Sequence, residues 1–245
     1  MHHTAMTNCK HFFDCYGDSL PVGDGVTVVD IGSQDVNGSL RDVTPGHFKY
    51  VGVDMVPGRG VDIVLNDPYT LPFESESVDV VLSSSCFEHS EMFWVLFLEV
   101  LRILKPSGLF YLNVPSNGNF HRYPVDCWRF YPDGGGALAT WARHNGFNAV
   151  LLESYISRQD QDIWNDFVGV FLKDETNARL FPNRVTSRFA SFDNGVSYGS
   201  PHILNFTELP EDRRNIRRLV RSAVAELVRR RLKIGRRLTA DDIPV

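Results

Sequence analysis

Val26-Thr-Val-Val-Asp-Ile-Gly-Ser-Gln-Asp-Val-Asn-Gly-Ser-Leu-Arg41 is the stretch whose reading decides the fold. Val26 to Val29 is a β-branched run long enough for a buried parallel strand. It ends in Asp30-Ile31-Gly32, where the backbone must turn, and a helix is expected to follow. Glycine at such a turn lets the main chain approach a ligand closely, because no Cβ stands in the way. The dinucleotide spacing G-x-G-x-x-G is absent: Ser33 and Gln34 follow Gly32, and the next glycine is Gly38.

Two acids decide between ligands. Asp30 precedes the turn, and Asp54 closes the next strand-like run, Tyr50-Val-Gly-Val-Asp54. An acid about twenty residues beyond the first turn is where a nucleotide-binding α/β unit accepts hydrogen bonds from ribose hydroxyls. A pyrophosphate beside Asp30 would be repelled, whereas a ligand carrying a sulfonium and an ammonium would not. S-adenosyl-L-methionine is a nucleoside of that kind, with cations and no phosphate. The bland alternative is a strand-turn-helix corner of any α/β protein.

The chain has 245 residues, an apolar fraction of 43% and a formal charge of −5. That is enough to fill the core of one domain. Nothing in the whole-molecule charge calls for nucleic acid or an anionic membrane. The longest apolar run, Met92 to Leu98, is too short to span a bilayer, and the opening residues lack the pattern of a signal peptide. Cys9, Cys15, Cys86 and Cys127 have no paired spacing and read as reduced thiols, so a cytoplasmic protein is expected. His2, His3, Cys9, His11 and Cys15 fit no common zinc spacing, and no metal is expected.

Along the chain, strands and helices alternate. A helix is expected over His3 to Tyr16, strands over Val61 to Leu65 and Ser77 to Ser83, and a helix over Glu91 to Lys105 with Ser90 as its N-cap. Pro106-Ser107-Gly108 should stop that helix before a strand over Leu109 to Val114. A helix over Ala137 to Asn145 and strands over Asn148 to Ser154 and Phe167 to Leu172 complete the pattern. Such alternation predicts a parallel sheet covered on both faces. Pro115 to Gly136 is a long irregular stretch crowded with aromatics, and loops of that length are usually functional or disordered; the aromatics argue against disorder. Asp174 to Pro201 shows no clean periodicity. Glu211 to Ile234 reads as an amphipathic helix with Ile216, Leu219, Val220, Ala223, Leu227 and Val228 on one face. Its other face carries Arg213, Arg214, Arg217, Arg218, Arg221, Arg229, Arg230 and Arg231. Docking or self-association as a homo-oligomer is preferred there over a lipid or nucleic-acid contact.

Taken together, the segments resemble a class I S-adenosylmethionine-dependent methyltransferase, with a type 11-like domain over residues 1–173 and a C-terminal extension over 174–245. VVDIGSQDVNGSLR is similar to the first ligand-binding motif, YVGVDM to the second-strand acid, and NDPYTLPF with VDVVLSSS to the adenine segment and fourth strand. EVLRILKPSGLFYLNVP is similar to the helix and fifth strand that follow. Ser33-Gln34 departs from the family, where many members have a further glycine. A weaker resemblance links the chain to methyltransferases of polysaccharide assembly.

The resemblance implies an α/β, Rossmann-like fold: a seven-stranded, mostly parallel sheet with helices on both faces, an antiparallel last strand and a C-terminal helical extension. It implies that Asp30, Gly32 and Ser33 meet the methionine end, Asp54 the ribose and Met55 the adenine face. Asp67, with Pro68, would meet the adenine amino group, and the main chain at Ser84 and Ser85 the methionine amine. Asp67 also suits a plain turn before proline. The crevice lies at the carboxyl ends of the strands, so the loop after Val114 opens over the methyl group.

A hydroxyl acceptor needs its proton removed. His89, His121 and Asp126 are the candidate bases, with a helix-capping role the alternative for His89. Phe120, Arg122, Tyr123, Trp128 and Arg129 are candidates for holding a small-molecule or glycan acceptor, since aromatics stack on sugar faces and charged groups grip hydroxyls. O-methylation of a sugar or another polyhydroxy compound is the first expectation. N- or C-methylation of another metabolite, and a catalytically inactive S-adenosylmethionine-binding protein, are the alternatives.

Overall fold

The computed structural model describes residues 2–21, 25–208 and 213–237, with side chains in the last stretch described over 216–231. The chain divides after Thr207 into two compact units. The first opens with α1 (His3–Tyr16), which buries Ala5, Cys9, Phe12 and Tyr16 at helical spacing. Strands β1 (Thr27–Ile31), β2 (Lys49–Asp54), β3 (Ile63–Val64) and β4 (Val78–Ser84) come next. Then follow α2 (Phe93–Ile103), β5 (Leu104–Pro115), α3 (Gly134–His144), β6 (Val150–Ser157) and β7 (Asp166–Leu172). A short α4 (Val185–Arg188) and β8 (Phe192–Ser197) end this unit, and α5 (Arg213–Arg237) belongs to the second.

The strands form one mixed sheet in the order β3-β2-β1-β4-β5-β7-β6-β8. The first five positions are joined in parallel, β7 is antiparallel to β5 and β6, and β8 is antiparallel to β6. Successive residues of β1 face opposite sides. Val29 and Ile31 pack with Phe97, Phe110 and Phe171 in a core on the α2 and α3 side. Val28 packs with Phe12, Leu82 and Tyr111 in a second core that includes α1. Helices therefore cover both faces, and the antiparallel β7 fits the expected last strand of a seven-stranded sheet, with β8 added beyond it. Ile31 lies opposite both Val53 and Ser83, so the residues after β1, β2 and β4 emerge together at one edge.

Several local expectations are corrected. No α-helix follows Gly32 among the described residues; a single 3-10 turn, Leu40–Asp42, stands between β1 and β2. Gly38, Pro45 and Gly46 break that stretch, and it has no apolar repeat to bury. Helix α2 starts later than expected: Met92 precedes it and no side chain caps it, while Ser90 Oγ is buried without a partner. Pro106-Ser107-Gly108 does not stop the helix. It lies inside β5, where pairing shifts between Val78 opposite Leu104 and Val80 opposite Leu109. Proline is tolerated at such an irregularity. The segment Asp174 to Pro201, which showed no periodicity, supplies β8; its sequence, Phe-Asp-Asn-Gly-Val-Ser, lacks the alternation that marks a strand.

In α5, Ile216, Leu219, Val220, Leu227 and Val228 are exposed, as are Arg217, Arg218, Arg221, Arg229, Arg230 and Arg231. Residues 211 and 212, and the side chains of Arg213 and Arg214, fall outside those described. Among the described residues, no helix is long and apolar enough to cross a membrane.

Candidate active site

The carboxyl ends of β1 and β2 are tied together by backbone. The N–H groups of Gly32 and Ser33 donate to Val53 O at 3.0 and 3.2 Å. Gly32 has φ +82, and a Cβ there would lie 2.7 Å from the Cβ of Cys86, so this turn needs glycine on both counts. Asp54 receives the Gln34 N–H on Oδ2 and the Val56 N–H on Oδ1, each at 3.2 Å. Those two bonds orient a carboxylate at the strand end with lone pairs to spare.

Asp30 is buried, and its Oδ2 accepts the Tyr50 hydroxyl proton. Oδ1 has no hydrogen-bond partner, and neither has the buried Ser33 Oγ beside the turn. Burial pushes the Asp30 carboxyl up to about 7, against the Tyr50 hydrogen bond, which lowers it. An unpartnered buried oxygen next to a tight turn is a place for a cationic or hydrogen-bond-donating group. Met55 is 42% exposed, leaving an apolar side chain free at the end of β2.

Asp67 sits in an exposed turn. Its carboxylate accepts from Tyr69 N at 2.9 Å and Thr70 Oγ1 at 2.8 Å, and these bonds hold its pKa below the usual range. Pro68 is exposed beside it. Ser84 and Ser85 are fixed from β5: Asn113 Nδ2 donates to Ser84 Oγ at 3.3 Å, and Ser85 N–H donates to Asn113 O at 2.9 Å. Ser85 has φ 52, a left-handed conformation unusual for serine.

Across the crevice lies the loop Asn119–Asp133. Asp126 is its knot: Arg129 donates to both carboxylate oxygens, at 2.6 and 2.9 Å, and His121 N–H donates at 2.7 Å. Arg129 first, then the His121 amide, holds the Asp126 carboxyl down to about 2. Arg129 is itself taken up by Asp126 and by the carbonyls of Trp128 and Asn119. Trp128 donates from Nε1 to Ser90 O at 2.9 Å and packs edge-on against Phe93 and Trp94. Arg129, Asp126 and Trp128 thus shape the loop. Phe120, Tyr123 and Tyr131 are 76%, 58% and 64% exposed, and Arg122 is also exposed. Tyr123 reaches the opposite wall, its hydroxyl donating to Gln34 Oε1 at 2.6 Å.

His89 and His121 meet edge to face, with ring centroids 5.0 Å apart. Burial lowers the His89 pKa. Beside them is Glu88, which sequence reading did not select; it is fully buried, and burial pushes its carboxyl up to about 8. Gln34 was missed as well. Nothing in Phe87-Glu88-His89 marked the acid as buried, and Gln34 carried no signal beyond its place in the turn.

This crevice geometry is matched by sequence. A family model described as a methyltransferase domain matches residues 25–112, from before β1 into β5. Residues 25–112 form a class I, S-adenosylmethionine-dependent methyltransferase domain. An uncharacterized methyltransferase of Mycobacterium avium is 31% identical over 146 residues, covering 51% of this chain and 53% of that protein. A phthiotriol/phenolphthiotriol dimycocerosates methyltransferase of Mycobacterium tuberculosis is 38% identical over 71 residues, 27% of this chain and 25% of that protein. The chain thus spans about half or less of the length of these relatives. The solved 1,6-didemethyltoxoflavin-N1-methyltransferase of Burkholderia thailandensis, with bound S-adenosylhomocysteine, shares the fold with a TM-score of 0.52. It is 15% identical, and the match covers 70% of this chain and 79% of that one. The methyltransferase domain's cofactor is S-adenosyl-L-methionine, and the wall built on Asp30, Gly32, Ser33 and Asp54 fits it.

Proposed function

We propose that the protein transfers a methyl group from S-adenosylmethionine to a hydroxyl of a sugar or another polyhydroxy small molecule. The observation that carries this reading is the Tyr123–Gln34 contact. It brings an exposed aromatic loop, with His121 at its root, against the turn that holds the methionine end of the cofactor. When bound, S-adenosylmethionine supplies an electrophilic methyl group whose departure leaves the bonding pair on sulfur.

The chain's own residues do the rest. Asp54 receives the ribose hydroxyls, Asp30 and Ser33 the charged methionine end, and Asp67 with Pro68 the adenine edge. Main-chain atoms at Ser84 and Ser85 meet the amine. Phe120, Tyr123 and Tyr131 offer faces on which a sugar ring stacks, and Arg122 a donor for its hydroxyls. Displacement at carbon needs the acceptor oxygen about 3 Å from the methyl and in line with sulfur, so positioning by this loop is a large part of the catalysis. As the new O–C bond forms, the hydroxyl proton passes to His121 or His89. Asp126, tied to Arg129 and held near 2, is a weak base and instead keeps His121 in place. A neutral amine acceptor needs no base before attack, so two histidines at the crevice mouth favour oxygen over nitrogen.

Incubation with S-adenosylmethionine and a pool of nucleotide sugars and glycans, followed by mass spectrometry, tests this reading. One product gaining a single methyl, in step with S-adenosylhomocysteine, is expected. A methylated amine or carbon product would replace the acceptor class, and cofactor binding without turnover on any acceptor would leave an inactive binder.

A further inference from the structure

At the end of β4 the 3-10 turn Phe87–His89 drives Glu88 inward. Its side chain is fully buried, and neither carboxylate oxygen accepts a hydrogen bond from another residue. A buried acid with no partner beyond its own backbone calls for an explanation, and a bound ion is one. Among the described residues, the cation that acts on it is Arg129, already committed to both oxygens of Asp126, while Asp166 and Asp126 add negative field.

Two imidazoles complete the set. His89 Nδ1 faces Val125 O, and His121 Nδ1 lies 3.1 Å from Asn119 O, with Asp126 Oδ2 and Arg129 Nη2 each at 3.4 Å. An Nδ1–H donated to a carbonyl fixes the tautomer and leaves the Nε2 lone pair free, which is how metal-binding histidines are usually oriented. His89 Nε2 is 3.8 Å from Glu88 Oε1, and one ligand atom from each of Glu88, His89 and His121 lies within 4.8 Å of the others. An ion held at about 2.1 Å from each donor draws such atoms to about 3 Å from one another, a shift within reach of side-chain torsions.

We propose that Glu88, His89 and His121 bind one divalent transition-metal ion of the manganese-to-zinc series. Two imidazole nitrogens and one carboxylate oxygen suit those ions. Magnesium and calcium take oxygen donors and retain water or carbonyls instead. The assignment stands on the protein's side chains alone. Its use rests on the proposed methyl transfer: with the ion bound, His89 and His121 would serve as its ligands instead of as bases, and the ion would polarise the acceptor hydroxyl so that its proton leaves to solvent.

Calorimetric titration of the metal-free full chain with Zn²⁺, Mn²⁺ and Co²⁺, and with Mg²⁺ as control, tests the site without reference to activity. One equivalent is expected to bind, Mg²⁺ more weakly, with Co²⁺ giving the visible absorption of nitrogen ligation. Glu88→Gln and His121→Ala should each weaken binding at least about 100-fold, the upper end of what loss of a mere orienting partner does, whereas His202→Ala should not. S-adenosylmethionine affinity and circular dichroism confirm that the variants fold. Should Glu88→Gln unfold, an anomalous-scattering peak between Glu88 and the two histidines in Zn²⁺-soaked wild-type crystals decides instead. No binding, or binding that survives both ligand substitutions, overturns the proposal. Metal binding in a protein that methylates nothing offered to it would support the site and count against the methyl-transfer reading, so the two fail separately.

Discussion

The two walls of the crevice are held in different ways. On the wall proposed for the cofactor, the backbone N–H groups of Gly32 and Ser33 donate to Val53 O, and those of Gln34 and Val56 to the Asp54 carboxylate, all on β2. On the opposite wall, the loop Asn119–Asp133 is held by side chains, with Asp126 gripped by Arg129 and Trp128 pinned to Ser90. Backbone bonds tolerate substitution of neighbouring side chains, while a side-chain knot is undone by one replacement. A crevice that must keep one ligand and vary the other is well served by this division.

His121→Ala should break the second wall most severely. Turnover with the authentic acceptor is expected to fall about 10²-fold or more, the usual contribution of acid–base catalysis, with cofactor affinity unchanged by calorimetry. Equal loss of both would mean that the walls are not independent. On the first wall, Asp54→Ala should weaken S-adenosylmethionine binding by roughly 1.5–3 kcal/mol, about 10- to 150-fold, as for hydrogen bonds to a charged group. Unchanged affinity would remove Asp54 from the site.

The pH dependence of binding sharpens the comparison at Asp30. Its folded-state carboxyl titrates at about 7. A cation beside it favours the carboxylate, so binding expels a proton, and affinity should increase as pH rises toward and through about 7, by at most about tenfold per unit. Folding alone has the opposite sign. An acid raised in the folded state gives stability that is complete below the unfolded value, about 4, and is lost as pH rises through about 7. Asp30→Asn should flatten both profiles, and a flat wild-type binding profile would place the cation elsewhere. The smallest effect expected is that of Tyr123→Phe. Losing the bond to Gln34 should cost about 0.5–1.5 kcal/mol, seen as a few-fold rise in acceptor KM with kcat nearly unchanged. A fall in kcat alone would mean that the bridge positions the reacting groups.

The same division explains what could be read from the chain. Asp30, Gly32 and Asp54 lie in short segments whose pattern is local, so their placement followed from strand, turn and spacing. Asp126 and Arg129 were legible as charged residues in an aromatic loop but not as partners of each other, because residues three apart in irregular backbone have no fixed geometry. Glu88 was hidden for a different reason: nothing in Phe-Glu-His says that a 3-10 turn will bury the acid. β8 was hidden because its pairing with β6, and not any alternation of its own, makes it a strand. The missing helix after β1 shows the converse, a strong fold-level expectation overruled by Gly38, Pro45 and Gly46.

β8 has a consequence for anyone who shortens this chain. Every residue of β6 is buried, and β8 covers its outer edge. The segment leading to β8 also serves Glu153, whose carboxylate accepts from Val185 N at 2.7 Å and from Thr186 N and Oγ1 at 2.9 and 2.8 Å, with Tyr16 its remaining donor. Ending the protein at Lys173 would therefore bare a strand rich in Val, Leu, Ile and Tyr and strip an interior acid of most of its donors. Such an open edge is a template for other chains. The shortened protein should accumulate as insoluble aggregate on expression, where one ending at Thr207 stays dispersed.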